Sequence, residues 1–318
     1  MIDALESVRF VAANGSVLTV SKNSYPELFW GIRGAGANFG IITEATYDLH
    51  KVSNDTKGGG QGLTVDYIFP AEKSLPYFQA LQNMGTLPAN LAVITLVLYN
   101  ETTGETAIMA NWMYFGPEDE GLKVMAPIFD LEPLVASVNV VPWTELLYSQ
   151  GFGINSALCQ GNLARETYTA QIKKVTASTW QAAFEKMAAF YEAYPGGRAL
   201  SYLELETFPN EAAMAVPDGE TAYPWRDALG TLGFQFGWIE GDTVVSNAAA
   251  KLGAELRDDF TETSGYPGLA AYVNYAHGDE PLVSIYRADK LPRLATLKKT
   301  WDPSNVFAYH LAIPTVYP

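Results

Sequence analysis

The sequence predicts an α+β fold in which an antiparallel sheet carries helices on one face. Strand-like segments occur mostly in pairs, and segments with helical periodicity separate the pairs. Paired strands favour antiparallel neighbours, and antiparallel sheets commonly keep one face for packing against helices. A chain of 318 residues, of which 48% are apolar and 13% aromatic, can bury a core of this kind.

The chain opens with a predicted β-hairpin. Residues 7–12 and 16–20 are rich in β-branched side chains, and they flank Asn14-Gly15, a dipeptide that favours tight hairpin turns. A further strand is expected at 39–49, where apolar and polar residues alternate. The stretch 53–62, rich in Gly, Asn and Lys, is typical of a linker.

The middle of the chain, residues 63–265, predicts the sheet and most of its helices. Strands are expected at 63–69, 92–99, 107–114, 199–206 and 230–239, and helices at 72–84, 118–129, 177–193 and 243–261. A short amphipathic helix is expected at 291–300, ahead of Asp302-Pro303.

Charge and composition exclude several classes of function. The net charge is −15 and only 20 residues are Lys or Arg, which argues against nucleic acids and anionic membrane surfaces as partners. A single cysteine, Cys159, excludes an internal disulfide, and three histidines far apart in sequence show no metal-ligand spacing, so no metal site is predicted. Small molecules are the expected partners.

The sequence shows neither a predicted membrane span nor a predicted signal peptide. No apolar run reaches the length of a bilayer span, and the first residues lack a basic and apolar leader. A soluble chain is therefore expected. Sequons at Asn14, Asn54 and Asn100 would suit a secreted protein if the natural start lay upstream.

The most informative run is 28–43, Leu-Phe-Trp-Gly-Ile-Arg-Gly-Ala-Gly-Ala-Asn-Phe-Gly-Ile-Ile-Thr. Gly34, Gly36 and Gly40, with Asn38 between them, leave few Cβ atoms to prevent close approach of a ligand. Their spacing is one residue longer than the dinucleotide fingerprint, and a strand follows instead of a helix, so a Rossmann-type site is excluded. A strand-connecting turn that needs glycine for its own geometry would explain the run equally simply.

This run resembles the flavin-binding segment of the berberine bridge enzyme-like oxidoreductases, flavoproteins of the vanillyl-alcohol-oxidase type found in fungi and plants. A second resemblance covers Tyr272-Val273-Asn274-Tyr275 and a closing block over 291–314 that includes Asp302-Pro303 and Ile313-Pro314. The two matches occur in the family's order. They imply a substrate-binding domain at 63–265 and a discontinuous, partial FAD-binding domain formed by 1–62 and 266–318.

The resemblance also implies roles for individual residues. Gly34, Gly36, Asn38, Gly40 and Asn274 are expected to bind the cofactor. Tyr272 or Tyr275 is expected beside the flavin ring, where a tyrosine of lowered pKa can help remove the proton of a substrate hydroxyl. On a strand, Tyr272 and Asn274 would share one face and Tyr275 would point the other way. A buried tyrosine with a satisfied hydroxyl remains the alternative.

Two further residues are candidates for the substrate pocket. Gln235 lies between Gly233 and Gly237 on a predicted strand, where it would project into a cavity unless that face is open to solvent. Glu220, in the proline-containing segment 216–226, could act as a base if burial raised its pKa; the alternative is a surface loop.

The function implied by the resemblance is FAD-linked oxidation of an alcohol, sugar or secondary metabolite by hydride transfer. The match begins part-way through the family's pattern, so a truncated member without the covalent flavin attachments is expected. A flavin-free derivative catalysing a redox-neutral cyclisation, isomerisation or dehydration stays open, as does an inactive fragment. Weak or absent FAD binding is expected, with self-association through uncovered apolar residues around Val8, Phe10, Ile41 and Tyr47.

Overall fold

The computed structural model describes residues 1–50, 60–153, 163–199 and 201–317. Cys159 and the sequon at Asn54 lie outside these ranges. The chain forms two compact units, named here unit 1 (Met1–Lys51, Asn210–Asp227 and Gly278–Pro318) and unit 2 (Val52–Pro209 and Ala228–His277). Both chain ends contribute to unit 1. These bounds differ from the predicted domains, because 210–227 belongs to unit 1 and 266–277 belongs to unit 2.

The first six strands occur in consecutive pairs separated by helices, and three helices end the chain. The strands are β1 (Leu5–Ala12), β2 (Val17–Ser21), β3 (Gly40–Tyr47), β4 (Gln61–Phe69), β5 (Leu91–Asn100), β6 (Glu105–Tyr114), β7 (Val135–Pro142), β8 (Leu163–Ile172), β9 (Tyr202–Thr207) and β10 (Gly230–Ile239). The helices are α1 (Pro26–Ala35), α2 (Ser74–Met84), α3 (Glu118–Phe129), α4 (Leu146–Ser149), α5 (Ala177–Ala193), α6 (Glu211–Met214), α7 (Thr243–Thr263), α8 (Leu282–Tyr286) and α9 (Leu291–Trp301).

Unit 1 contains a three-stranded antiparallel sheet in the order β2-β1-β3. The predicted hairpin around Asn14-Gly15 is confirmed, since β1 pairs with β2 and Gly15 has a φ of +80°. The expectation of an uncovered apolar surface is wrong for Val8 and Phe10, which are buried, while Ile41 and Tyr47 on the edge strand β3 are exposed. Helix α1 was not predicted, because its sequence contains Gly31, Trp30 and Ile32, which are weak helix formers.

Unit 2 is built on a seven-stranded antiparallel sheet in the order β7-β4-β6-β5-β9-β10-β8. Alternate residues of the strands other than β7, such as Tyr67, Trp112 and Phe234, enter one hydrophobic core together with apolar residues of α2, α3, α5 and α7. The predicted antiparallel sheet with helices on one face is therefore confirmed for this unit. None of the helices in the described ranges combines the length and apolar character that a bilayer span requires.

Two strands of this sheet escaped prediction. β7 and β8 are its outermost strands, and their residues are less regularly buried than those of the central strands. Hydrophobic alternation is weak in such edge strands because neither face is fully covered. The strand expected at 199–206 forms as Tyr202–Thr207.

Candidate active site

The sheet of unit 2 carries two carboxylates on the face opposite its helices. β9 reads Tyr202-Leu203-Glu204-Leu205-Glu206, and alternation sends Leu203 and Leu205 into the core while Glu204 and Glu206 project from the other face. We name this face, with Glu204, Glu206, Gly233 and Gln235, the polar face. Neither glutamate was predicted as a site residue, although two Glu residues spaced by two within an apolar strand were a usable signal.

Burial changes the protonation of this carboxylate pair. It raises the pKa of Glu204 to about 7, and the negative charge of Glu206 adds to the effect. Burial also raises the pKa of Glu206, whereas a hydrogen bond from Tyr275 opposes that rise. Because two neighbouring carboxylates resist ionising together, the pair is partly protonated near neutral pH. Of the two, Glu206 is the one whose negative charge is stabilised by a hydrogen bond, from Tyr275.

The predicted strand at Tyr272–Tyr275 is wrong, because this segment forms a turn closed by a 3.0 Å hydrogen bond from Tyr275 N to Tyr272 O. The two rings meet edge to face with centroids 5.3 Å apart, so Tyr275 does not point away from Tyr272 as expected. Asn274 Nδ2 donates to Tyr272 Oη at 2.7 Å. The three polar side chains of the motif thus cluster instead of dividing between two faces.

Tyr275 connects this turn to the polar face. Its hydroxyl donates to Glu206 Oε1 at 3.0 Å. Burial raises the pKa of Tyr275, and the charges of Glu206 and Glu204 raise it further; burial also raises the pKa of Tyr272. The expectation of a tyrosine with lowered pKa is therefore wrong, and the groups able to take up a proton here are the two carboxylates, of which Glu206 receives the Tyr275 hydrogen bond.

Gln235 lies on the polar face as predicted, in register with Tyr202 of β9 and Thr167 of β8. Its neighbour on the same face, Gly233, is paired with Glu204. A Cβ at Gly233 would lie 3.6 Å from Glu204 Oε2 and 3.7 Å from Tyr275 Cδ2, so the glycine leaves a slot between a carboxylate and an aromatic ring. Unit 2 thus brings together Gln235, Tyr272, Asn274 and Tyr275 and adds the two glutamates.

The predicted cofactor glycines lie in unit 1, and protein atoms fill the space beside two of them. A Cβ at Gly34, where φ is +149°, would lie 2.3 Å from Tyr223 N; a Cβ at Gly40 would lie 2.3 Å from Val11 O. Packing alone requires glycine at both positions. Beside Gly36 there is more room, since the nearest atom is Ile32 Cβ at 3.6 Å.

Asn38 is the centre of a buried network in unit 1. Its side chain, 2% exposed, donates to Tyr286 Oη at 3.0 Å and accepts from Ile313 N at 2.8 Å. Its carbonyl accepts from Lys298 Nζ, which also forms a fully buried ion pair with Asp302 at 2.6 Å. These contacts join the glycine run to α9 and to Ile313.

Glu220 is exposed, so the burial that its proposed role as a base required is not present. Its backbone carbonyl accepts a 2.7 Å hydrogen bond from Arg33, and its side chain lines a cleft of about 850 Å³ in unit 1. The charged groups around that cleft pair largely within the protein, as Arg293 does with Glu27 at 2.8 Å. Among the described residues no group of three or more His, Cys, Asp or Glu side chains is arranged to hold a metal ion.

Known proteins resemble this chain in sequence and in fold. A model of the family described as "Berberine and berberine like" matches residues 271–314. The chain is 48% identical to the FAD-linked oxidoreductase fogF of Aspergillus ruber over 319 residues, which cover all of this chain and 64% of that protein. The chain thus spans a little under two thirds of the length of this relative.

Solved structures share the fold. BBE-like 1 of Physcomitrella patens superposes with a TM-score of 0.80 at 20% identity, covering 100% of this chain and 66% of that one. The xylooligosaccharide oxidase of Myceliophthora thermophila in complex with xylobiose gives a TM-score of 0.74 at 20% identity, covering 98% and 66%. The family match, the fungal relative and the shared fold agree: the proteins that this chain resembles are the berberine bridge enzyme-like FAD-linked oxidoreductases.

Proposed function

We propose that this protein oxidises a hydroxyl group of a small molecule with FAD as the hydride acceptor. The observation that carries the proposal is the Tyr275–Glu206 hydrogen bond on the polar face, beside the slot at Gly233. A relative is named an FAD-linked oxidoreductase, and a protein of the same fold is named an oxidase and binds xylobiose. An alcohol or a sugar is the substrate class that this arrangement favours.

The residues of this chain differ in how well they fit the cofactor. Gly36 has room beside its backbone for a ligand, whereas Gly34 and Gly40 lie against protein atoms. The side chain of Asn38 is already hydrogen-bonded to Tyr286 and Ile313. We therefore assign Gly36 to cofactor contact, and Gly34, Asn38 and Gly40 to holding the turn. When bound, FAD supplies the acceptor for the hydride. The polar face supplies the path for the proton.

That path follows from the hydrogen bond already present. A substrate hydroxyl in the slot donates to Tyr275 Oη, while the Tyr275 proton is already directed at Glu206. As the substrate O–H bond breaks, Tyr275 accepts the proton and passes its own to Glu206, so that the alcohol loses one hydride and one proton in total. Tyr275 stays neutral throughout, as its raised pKa requires. Gln235 and Tyr272 are placed to orient the substrate.

Two conservative variants test this proposal. Glu206→Gln removes the proton acceptor and Tyr275→Phe removes the relay, while Glu72→Gln changes an exposed glutamate of the same unit. With primary alcohols and xylobiose as probes, we expect Glu206→Gln and Tyr275→Phe to lower the rate of flavin bleaching without oxygen by about 100-fold or more. The substrate affinity of Glu206→Gln and the rate of Glu72→Gln should change little.

Three results would contradict the proposal or favour one of its alternatives. Rates within a few-fold of wild type in both variants would remove the proton relay from the mechanism. A purified protein without flavin absorbance that still converts a substrate with no change in its oxidation state would favour the redox-neutral alternative. Absence of turnover in wild type reconstituted with FAD would favour the inactive fragment.

A further inference from the structure

One side of the edge strand β7 carries backbone N–H and C=O groups that no strand in the described part of the chain pairs with. β7 lies at the end of the sheet of unit 2 and bonds to β4 on one side only. All eight of its residues, Val-Ala-Ser-Val-Asn-Val-Val-Pro, are uncharged. Val138 is 41% exposed and Val140 42% exposed. Natural sheets usually protect such an edge with charge, a bulge or a covering segment.

The strand at the other edge of the same sheet, β8, is protected in two ways. β8 carries Arg165 and Glu166, and a neighbouring segment covers part of it through hydrogen bonds from Gln171 N to Ala270 O at 2.6 Å and from Lys173 N to Ser264 O at 2.8 Å. Among the residues that the structure describes, neither charged side chains within the strand nor a covering segment protects β7. Its open edge is thus a specific feature of this strand and not a general property of the sheet.

The register fixes which backbone groups of β7 point outward. Trp143 N donates to Gly60 O at 2.8 Å, and residues of an antiparallel strand alternate in the direction of their hydrogen bonds. Residues 137, 139 and 141 therefore bond towards β4. The N–H and C=O groups of Ala136, Val138 and Val140 point to the open edge.

We propose that a second copy of this chain pairs with β7 in antiparallel register, about a two-fold axis through Val138. Each Val138 then exchanges both backbone hydrogen bonds with the Val138 of the second copy, and each Ala136 does so with Val140. All six outward-pointing N–H groups of the two strands are satisfied, because an isologous pair repeats every contact. The valine side chains pair across the junction on one face.

The residues at the ends of β7 also favour a second copy. Leu134 is 57% exposed and Trp143 is 56% exposed, although both are large apolar residues. They lie just beyond opposite ends of the strand, so the antiparallel arrangement brings Leu134 of one copy next to Trp143 of the other, and does so twice. A second copy therefore supplies, by symmetry alone, an apolar residue opposite each of these two ends.

Charge favours the same conclusion. A chain of net charge −15 repels its own copies, so a contact between them needs an uncharged surface. In sequence, the charged residues closest to the strand are Glu132, which pairs with Lys73 at 3.4 Å, and Glu145; in space, Glu118 and Asp119 line a small cavity together with Val140. One strand and two apolar ends form a small interface, so we expect a reversible dimer that salt strengthens by screening the remaining repulsion.

Cysteine crosslinking tests the register. In a Cys159→Ser background, Val138→Cys places two thiols opposite each other at the axis, with Cα atoms about 5.5 Å apart, within disulfide range. Val140→Cys is the matched control: it is equally exposed and on the same face, but residue 140 opposes residue 136, so its own copy lies about 13 Å further along the strand. Under mild oxidation we expect covalent dimers from Val138→Cys alone. Equal crosslinking by both variants would overturn the proposed register.

Sedimentation equilibrium of the unmodified chain tests the association itself. We expect a concentration-dependent dimer that is lost in Val138→Lys, which places two like charges at the axis, and kept in Ile41→Lys, which changes the exposed edge strand of unit 1. Circular dichroism establishes that both variants fold. A wild-type monomer at all concentrations, or a dimer lost in Ile41→Lys and kept in Val138→Lys, would refute pairing through β7.

Discussion

Replacing Glu204 with glutamine should stabilise the folded protein in alkaline solution and leave its stability almost unchanged in acid. In the folded chain, burial and the charge of Glu206 raise the pKa of Glu204 from 4.5 to about 7. The unfolded chain has no such burial and releases the proton near the ordinary value. The stability that a protonated Glu204 provides is therefore fully present below about pH 4.5 and is lost as the pH rises through about 7.

The size of the effect follows from the two pKa values. Their difference, at about 1.4 kcal/mol per pKa unit, corresponds to roughly 3 kcal/mol of folding free energy. Glutamine keeps the shape of the side chain and cannot ionise, so Glu204→Gln avoids this loss. Its free energy of unfolding should exceed that of wild type by roughly 3 kcal/mol at about pH 9.

Urea unfolding followed by tryptophan fluorescence measures this difference. Wild type, Glu204→Gln and the exposed-site control Glu72→Gln are compared below pH 4.5 and at about pH 9. The free energy of unfolding of Glu204→Gln should exceed that of wild type in the alkaline condition and equal it in the acidic one, whereas Glu72→Gln should match wild type in both. An equal gain at both pH values, or no gain in alkali, would show that Glu204 is not a buried carboxyl of raised pKa.

Three further outcomes are expected. Gly34→Ala should destabilise unit 1 by roughly 2 kcal/mol or more in thermal unfolding, because its Cβ would overlap the backbone at Tyr223, whereas Gly36→Ala should cost less than about 1 kcal/mol. Asn38→Ala should cost about 2–4 kcal/mol by leaving the Ile313 N–H without a partner, which hydrogen exchange at that amide can report. FAD titrated into the purified chain should bind weakly, since an acidic protein repels the diphosphate; low-micromolar affinity by flavin fluorescence would contradict this.

Long segments with clear periodicity were predictable from the sequence. The helices at 118–129 and 177–193 and the strand at 230–239 form within the predicted bounds. Each is long enough for several repeats of its pattern, and each buries one side in a single core, so local pattern and tertiary burial agree. The seven-strand order was beyond prediction, because it depends on contacts between strands far apart in sequence.

The turn at Tyr272–Tyr275 shows where alternation misleads. The letters Tyr-Val-Asn-Tyr fit a strand, yet the backbone reverses there through the bond from Tyr275 N to Tyr272 O. Just before it, Ala270 O accepts from Gln171 N of β8, which holds the chain against the sheet edge. Four residues are too few for periodicity to separate a strand from a turn, and the deciding contact comes from a residue about a hundred positions earlier.

The same limit explains why the carboxylate pair was missed. Glu206 and Tyr275 are 69 positions apart, and their hydrogen bond exists because β9 is a central strand whose polar face the 272–275 turn reaches. Taken alone, Glu204 and Glu206 fit the exposed side of a half-buried strand, the commonest place for a glutamate. Burial against the sheet and the nearby tyrosines converts them into a proton-accepting site, since it raises the pKa of Glu204 towards neutrality and supplies Glu206 with a donor. The proton path proposed on this face thus depends on the strand order, and a change that shifted β9 by one residue would send both carboxylates into the core and abolish it.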